Sequence, residues 1–440
     1  MQLLYDLFLS STGVTTDSRS IKGGEIFFAL RGENFDGNAY AIQALSDGAS
    51  YAIVNEDSLA ARSGDSRVIA VPDPLQTLKD LAAYHRDHTY VDGKRLTVIG
   101  LTGTNGKTTT KELIRAVLSC RYRVTATEGN LNNDIGVPLS VLKINASTQI
   151  AVIEMGANHP EDIAALTPIS QPDFGLITNV GKAHLLGFGS FEGVKHAKGR
   201  LYDYIAANGG SVFVNTDDPD LMQMARDRGL NILPYGLTSD SAAIIPSTRE
   251  HPFLRMTLAN GEKTISTQLA GSYNANNVLA AIAVGAHFGI PLDEAIAAIE
   301  AYSPANNRSQ LTRTLYNTVI ADMYNANPTS MSAALDNIAM MTGAPRAALL
   351  GQMGELGAES VAEHVNVLRK VLGAGFEHVY LVGDEFRKAL DSVGPAGASV
   401  QWFPTSDDLS IYIKANPLKG FTILLKGSRS VKMENVLPVL

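Results

Sequence analysis

Residues 95–110 read RLTVIGLTGTNGKTTT. The first letters form a short apolar run of strand type. Gly103 and Gly106 then make a loop, and a helix begins at Lys107, with Leu113, Val117 and Leu118 recurring near helical spacing. A glycine turn between strand and helix gathers backbone N–H groups at the helix N terminus, where the positive end of the helix dipole favours an anion. Lys107 adds a point charge for the outer phosphates of a nucleotide, and Thr108 a hydroxyl for Mg2+. The general phosphate-loop spacing wants a further glycine where Leu101 stands, so the match is partial. A tight turn with an exposed lysine fits the same letters; the strand before and the helix after favour the phosphate site.

The same alternation of strand and helix extends in both directions. Upstream, EIFFAL and YAIVNE read as strands with YAIQALSDGA as a helix between them, and DPLQTLKDLAAYHRDHT as a helical bridge. Downstream, TQIAVIEMG, FGLITNVG and SVFVNT read as strands and FEGVKHAKGRLYDYIAA as a helix. Asn260-Gly261, between alternating runs, signals a hairpin. Two helices, NANNVLAAIAVGAHFG and PLDEAIAAIEAY, precede a polar break at SPANNRSQ. The alternation then restarts: NTVIAD, AALLGQ, HVYLVGD and FTILLKG as strands, TSMSAALDNIAMM and VAEHVNVLRKVLG as helices. The pattern predicts an α/β chain with mainly parallel sheets in three domains, over residues 1–80, 81–306 and 307–440.

Bulk properties narrow the function. Of 440 residues, 45% are hydrophobic and 18% charged, as in a globular protein rather than a disordered one. A net charge of -8 disfavours a general nucleic-acid binder. The single cysteine, Cys120, excludes an intramolecular disulfide and points to a reducing compartment. The N-terminal stretch has no basic lead-in, and no apolar run is long enough for a membrane span. No coiled-coil pattern or apolar stripe is evident, so a monomer is expected.

A metal beside the phosphates needs more ligands than one threonine. Glu154 ends the strand AVIEMG, at the strand end that faces a ligand crevice in open α/β sheets. A salt-bridged strand end fits Glu154 equally well. His184 follows the next strand; Mg2+ prefers oxygen, and the residue reads as well as an ordinary loop histidine.

GTNGKTT, GNLNNDIGVPLSVL, VIEMGANHPEDI, ITNVGKAHLLGFGSFEGV, GSYNANNVLAA and YNANPTSM together resemble the Mur ligases, from about Asp17 to about Glu434. GTNGKTT marks the superfamily, which includes folylpolyglutamate synthase; GNLNNDIGVP and YNANP mark the branch that joins D-alanyl-D-alanine to UDP-N-acetylmuramoyl-tripeptide. The resemblance implies a UDP-substrate domain, a central ATPase and a C-terminal Rossmann-like domain. It also implies a cytoplasmic step of peptidoglycan synthesis that uses ATP and Mg2+ and passes through an acyl phosphate. Gly103, Thr104, Asn105, Gly106, Lys107, Thr108 and Thr109 become the ATP loop by this resemblance. Thr108, Glu154, His184 and a carbamylated Lys198 become the Mg2+ set, and Lys107, His184 and Lys198 the catalytic residues. Asn274 and Asn277 correspond to adenine contacts, though asparagine also suits a helix start. Arg308 corresponds to an arginine that reaches phosphate on domain closure, and Asp322 to a ribose or ATP contact. Ser18, Arg19 and Gly32 match the uridine domain; Asn130, Asn132, Asn133 and Asp134 suit a polar peptide or sugar phosphate or, equally, a turn-rich connector. Tyr324, Asn325 and Asn327 line the crevice, and Lys426, Ser428 and Arg429 meet the incoming dipeptide or the phosphate. Arg200, two residues from Lys198, stands where the family has a glutamate, and could pair with a carbamate or compete with the metal. Two rivals remain: a related ligase with another amino substrate, and a P-loop ATPase or binding module.

Overall fold

The computed structural model describes residues 1–248, 250–304, 310–394 and 399–440. Its centre is a six-stranded, wholly parallel sheet in the order Val124–Ala126, Ile150–Glu154, Thr97–Thr102, Phe174–Ile177, Ser211–Asn215, Asn231–Tyr235. Both faces are covered, which explains why its strands read as unbroken apolar runs. Val98, Ile153, Ile177 and Val214 face one side. Ile99, Leu101, Val152, Leu176 and Phe213 face the helices Lys107–Leu118 and Ala275–His287 on the other. The Asn260-Gly261 hairpin forms as expected, between Phe253–Leu258 and Lys263–Ala270, with positive φ at Ala259, Asn260 and Gly261.

The N-terminal sheet is four-stranded and parallel: Val14–Thr15, Ile26–Phe28, Tyr51–Asn55, Val68–Val71. One of its faces packs on the Ala41–Ser46 helix. The other shares a continuous core with the central unit through the helix Pro74–Asp87. That helix runs unbroken through residue 80, so the first expected division falls inside an element. The division after residue 306, and Arg308 with it, lies outside the described residues.

The C-terminal sheet has the order Gln310–Arg313, Thr318–Asp322, Thr422–Lys426, Arg346–Gly351, His378–Val382, Val400–Phe403, with only the first strand antiparallel. Several elements carried no clear pattern in the sequence. Asp162–Ser170 is helical despite Pro168, and Gly136–Leu142 despite Pro138. Asn231–Tyr235 tolerates Pro234 because it is an edge strand, paired on one side only.

Candidate active site

Three neighbouring strands of the central sheet end at Thr102, Glu154 and Ile177, and their following loops open on one crevice of about 390 Å3. This is where open α/β sheets bind ligands. The central unit contributes Thr104–Lys107, Thr109, Asn132, Glu154, Asn179, His184, Asn274 and Asn277; the C-terminal unit contributes Asp322, Tyr324, Asn325 and Lys426.

The glycine turn is built for protein packing as much as for an anion. Gly103 (φ 149°) lies so close to Thr178 that a Cβ would sit 1.8 Å from its Oγ1. At Gly106 (φ 78°) a Cβ would sit 2.7 Å from Asn277 Oδ1. The turn is also stapled to the Phe174–Ile177 strand end. The N–H of Thr104 donates to the Asn179 carbonyl, the N–H of Asn105 donates to Asn179 Oδ1, and the Asn105 carbonyl accepts from Thr178 Oγ1 (2.6 Å) and Asn179 Nδ2 (3.0 Å). The N–H groups of Thr104 and Asn105 are therefore spent inside the protein. The helix Lys107–Leu118 starts at this turn, and the positive end of its dipole faces the crevice that the turn lines. Lys107 folds over the turn, donating to the carbonyls of Gly103 (2.8 Å) and Thr104 (3.3 Å).

Glu154 forms the floor. It is 1% exposed, and its oxygens accept from Thr108 Oγ1 at 3.0 and 3.2 Å and from Asn132 Nδ2 at 2.8 Å. All these donors are neutral, and no ion pair to Glu154 exists among the described residues. A salt-bridged strand end is therefore not what the fold makes of it. A buried carboxylate without a counter-ion suits a cation. Among the described residues no three His, Cys, Asp or Glu side chains cluster as a metal site, so a cation here would draw on Thr108 and on ligand oxygens. His184 lines the same crevice with its Nδ1 against Glu355 of the C-terminal unit.

Lys198 lies in the helix Phe191–Ala207 and is 2% exposed, its ammonium over the Phe188 ring at 5.6 Å. Burial, then the nearby Lys107 charge, push its pKa down to about 7. A solvated helix lysine is excluded. Arg200 turns toward Glu161 and Asp203 (3.4 Å each).

Asn274 and Asn277 are buried crevice residues. Asn274 makes no side-chain cap; its amide donates to the Ala270 carbonyl and its Oδ1 accepts from Asn277 Nδ2, both at 2.8 Å. Asn327 caps the helix Pro328–Met340 and exchanges amide hydrogen bonds with Asn105 across the two units (2.8 and 3.4 Å). Lys426, fully buried, pairs with Asp322 and donates to the Asn325 carbonyl at 3.1 Å. Ser428 is engaged with the Gln352 carbonyl at 2.7 Å, Arg429 is exposed, and neither lines the crevice. Of the four residues at 130–134, only Asn132 reaches it. Asn133 accepts from the Gly136 N–H, Asp134 pairs with Lys79 at 3.7 Å, and Asn130 is exposed. Ser18 and Gly32 follow the carboxyl ends of neighbouring N-terminal strands, away from the crevice; the Arg19 side chain is 88% exposed and paired with Asp17. Asn179 and Thr178 were not anticipated. Their signal was available, since they follow a strand end as the phosphate turn does.

Three family models match in sequence order: the Mur ligase family catalytic domain over residues 10–86, the Mur ligase middle domain over 101–285, and the Mur ligase glutamate ligase domain over 307–429. The UDP-N-acetylmuramoyl-tripeptide–D-alanyl-D-alanine ligase of Bacillus subtilis (strain 168) is 34% identical over 433 residues, which span 96% of this chain and 92% of that one. The chain belongs to the Mur ligase family. The enzyme of the same name from Escherichia coli (strain K12) is 34% identical over 435 residues, covering 97% and 93%. Among solved Mur ligases, MurF from Acinetobacter baumannii superposes with a TM-score of 0.84 at 29% identity, covering 98% and 97% of the two chains. MurF from Thermotoga maritima, in complex with ADP, gives 0.84 at 25% identity, covering 99% and 97%. Mur ligases are ATP-dependent. No described helix is long and apolar enough to cross a membrane.

Proposed function

We propose that the crevice catalyses ATP-dependent amide formation between UDP-N-acetylmuramoyl-tripeptide and D-alanyl-D-alanine, in the cytoplasm, with the chain acting as a monomer. The observation that carries this reading is the convergence of the glycine turn, the uncompensated Glu154 and the buried Lys426 on one cleft between two units. Relatives bearing that activity in their names align along nearly the whole chain.

A carboxylate is a poor electrophile because it lacks a leaving group. Transfer of the terminal phosphoryl group of ATP to a carboxylate oxygen breaks the bond to ADP and forms an acyl phosphate. The dipeptide amine attacks the carbonyl carbon and loses a proton, and the tetrahedral intermediate expels phosphate to leave the amide. Positioning and charge neutralisation are the protein's share. Residues Gly103–Thr109 hold the phosphates, with Lys107 against the developing charge. Asn274 and Asn277 take the adenine, and Asp322 contacts the ribose or another part of ATP. Tyr324, Asn325 and Asn327 wall the cleft, and Arg308 reaches the phosphate on closure. Lys426, Ser428 and Arg429 meet the incoming dipeptide or the phosphate. Ser18, Arg19, Gly32 and the Asn130–Asp134 segment receive the UDP-sugar peptide. The units acting in this way span residues 1–80, 81–306 and 307–440.

Mg2+ fits the oxygen donors at the floor: Thr108 and Glu154 would hold it, with a carbamylated Lys198 and His184 beside them, and it would neutralise phosphate charge. Histidine nitrogen is the least suited member of that set. A lysine whose pKa falls to about 7 is substantially the free amine near neutrality, the form that adds CO2 and releases a proton to become a carbamate.

The test combines ATP, D-alanyl-D-alanine and UDP-sugar tripeptides carrying diaminopimelate or lysine, with product mass and phosphate release as readouts. Phosphate release that requires both co-substrates, with 18O from the labelled carboxylate in the liberated phosphate, is expected. Release without co-substrates, or unlabelled phosphate, would overturn the proposal; a product with another amine would indicate a different ligase of the family.

A further inference from the structure

Asn179 meets the glycine turn with its backbone and with both ends of its side-chain amide. Its carbonyl accepts from the Thr104 N–H, its Oδ1 accepts from the Asn105 N–H, and its Nδ2 donates to the Asn105 carbonyl, each at 3.0 Å. The two side-chain bonds close on a single residue. The Asn105 N–H belongs to the peptide plane before its Cα, and the carbonyl to the plane after it. One amide that binds both therefore fixes φ and ψ of Asn105 together. Those angles set the direction in which the chain enters Gly106 (φ 78°), the N-cap of the helix Lys107–Leu118. The Asn105 side chain is engaged elsewhere, exchanging amide hydrogen bonds with Asn327 of the C-terminal unit. Thr178 Oγ1 reaches the Asn105 carbonyl at 2.6 Å but makes no bond to its N–H, which is held by Asn179.

We propose that Asn179 is a positioning residue for the nucleotide: its amide sets the Asn105 backbone, and through it the direction in which the turn and the helix start face the crevice. A primary amide suits this task because it carries an acceptor and a donor side by side. An ionised aspartate of the same shape accepts from the N–H but cannot donate to the carbonyl. The amide is also neutral, so it adds no charge that would repel an anion. Asn179 lines the crevice beside Asn105, Gly106 and Lys107. Loss of the clamp therefore falls on the phosphates of a nucleotide and spares its nucleoside. That the turn meets phosphate rests on the proposed function; the clamp on Asn105 does not.

The experiment uses the full chain and two variants, Asn179→Ala and Asn179→Asp. Amide hydrogen exchange, followed by 15N NMR without nucleotide, reads the clamp directly. In Asn179→Ala the Asn105 N–H should exchange roughly tenfold or more faster than in wild type. The strands Thr97–Thr102 and Ile150–Glu154 should keep their protection, which reports an intact sheet. Asn179→Asp still accepts, so its Asn105 N–H should stay protected. Calorimetric titration with ADP and with adenosine then separates positioning from general loosening. Both variants should bind ADP roughly tenfold more weakly, about the worth of one hydrogen bond to a charged group, with adenosine binding unchanged. In turnover, KM for ATP should rise while KM for the UDP-sugar tripeptide stays. Unchanged exchange at Asn105 in Asn179→Ala, unchanged ADP binding in either variant, or an equal loss of ADP and adenosine would overturn the proposal. The expected exchange and ADP results in a chain that makes no amide would refute the ligase assignment and leave the positioning role intact.

Discussion

Replacing Lys198 by methionine tests whether the fold keeps an amine at a cost. Methionine is unbranched and retains most of the apolar stem, so packing is largely preserved while the ionisable nitrogen is removed. The lysine pKa falls from 10.5 to about 7, with burial the main cause and the Lys107 charge the second. The difference of about 3.5 units corresponds to about 5 kcal/mol at roughly 1.36 kcal/mol per unit, an upper figure because buried sites relax. Between the two pKa values the native chain binds fewer protons than the unfolded chain, so native stability rises with pH across that window. Below about pH 7 the penalty is fully present, and above about 10.5 it vanishes. Lys198→Met escapes it. The variant should therefore be the more stable protein at pH 6.5, and its advantage should shrink by about 3 kcal/mol on going to pH 9.5. Calorimetric melting of both proteins in CO2-free buffer measures this, and the melting-temperature gap should close by roughly 6–12 °C over that range for a unit of this size. A gap that does not change with pH, or a variant less stable at pH 6.5, would show that the nitrogen is not desolvated as the structure has it.

Lys107→Ala should abolish amide formation while leaving the melting profile close to wild type, read by product mass and calorimetry. Lys198→Ala should be inactive and partly rescued by a short carboxylic acid if a carbamate operates; full activity without rescue would leave the lysine no catalytic part. Gly103→Ala should destabilise the central unit by roughly 1–3 kcal/mol through overpacking, because its methyl would meet Thr178 Oγ1, and should weaken nucleotide binding measured by calorimetric titration. Lys426→Met should cost roughly 3–5 kcal/mol in denaturant unfolding, since it strands Asp322 near the bottom of the cleft. Adding Asp322→Asn should recover much of that loss.

Local physics made much of the fold readable. Strands buried on both faces give apolar runs that need no partner to be recognised, and FEGVKHAKGRLYDYIAA matches its helix, Phe191–Ala207. The glycine turn was readable because a strand, a turn and a helix N terminus are adjacent in sequence. Elements with internal proline, such as Asp162–Ser170, were not readable, because burial against neighbouring elements overrides local preference.

The sequence by itself determined the alternating α/β order, the glycine turn between strand and helix, and the family motifs, since these depend on neighbours within a few residues. Only the tertiary structure decided which charges are uncompensated. Glu154 proved to have no ion pair among the described residues, Lys198 to lie out of water, and Arg200 to face Glu161 and Asp203, although all three are ordinary letters in the chain. It also decided that Glu355 meets His184 and that Asn105 meets Asn327 across the two units. Desolvation and long-range pairing depend on what surrounds a side chain in space, and no local stretch of sequence records that.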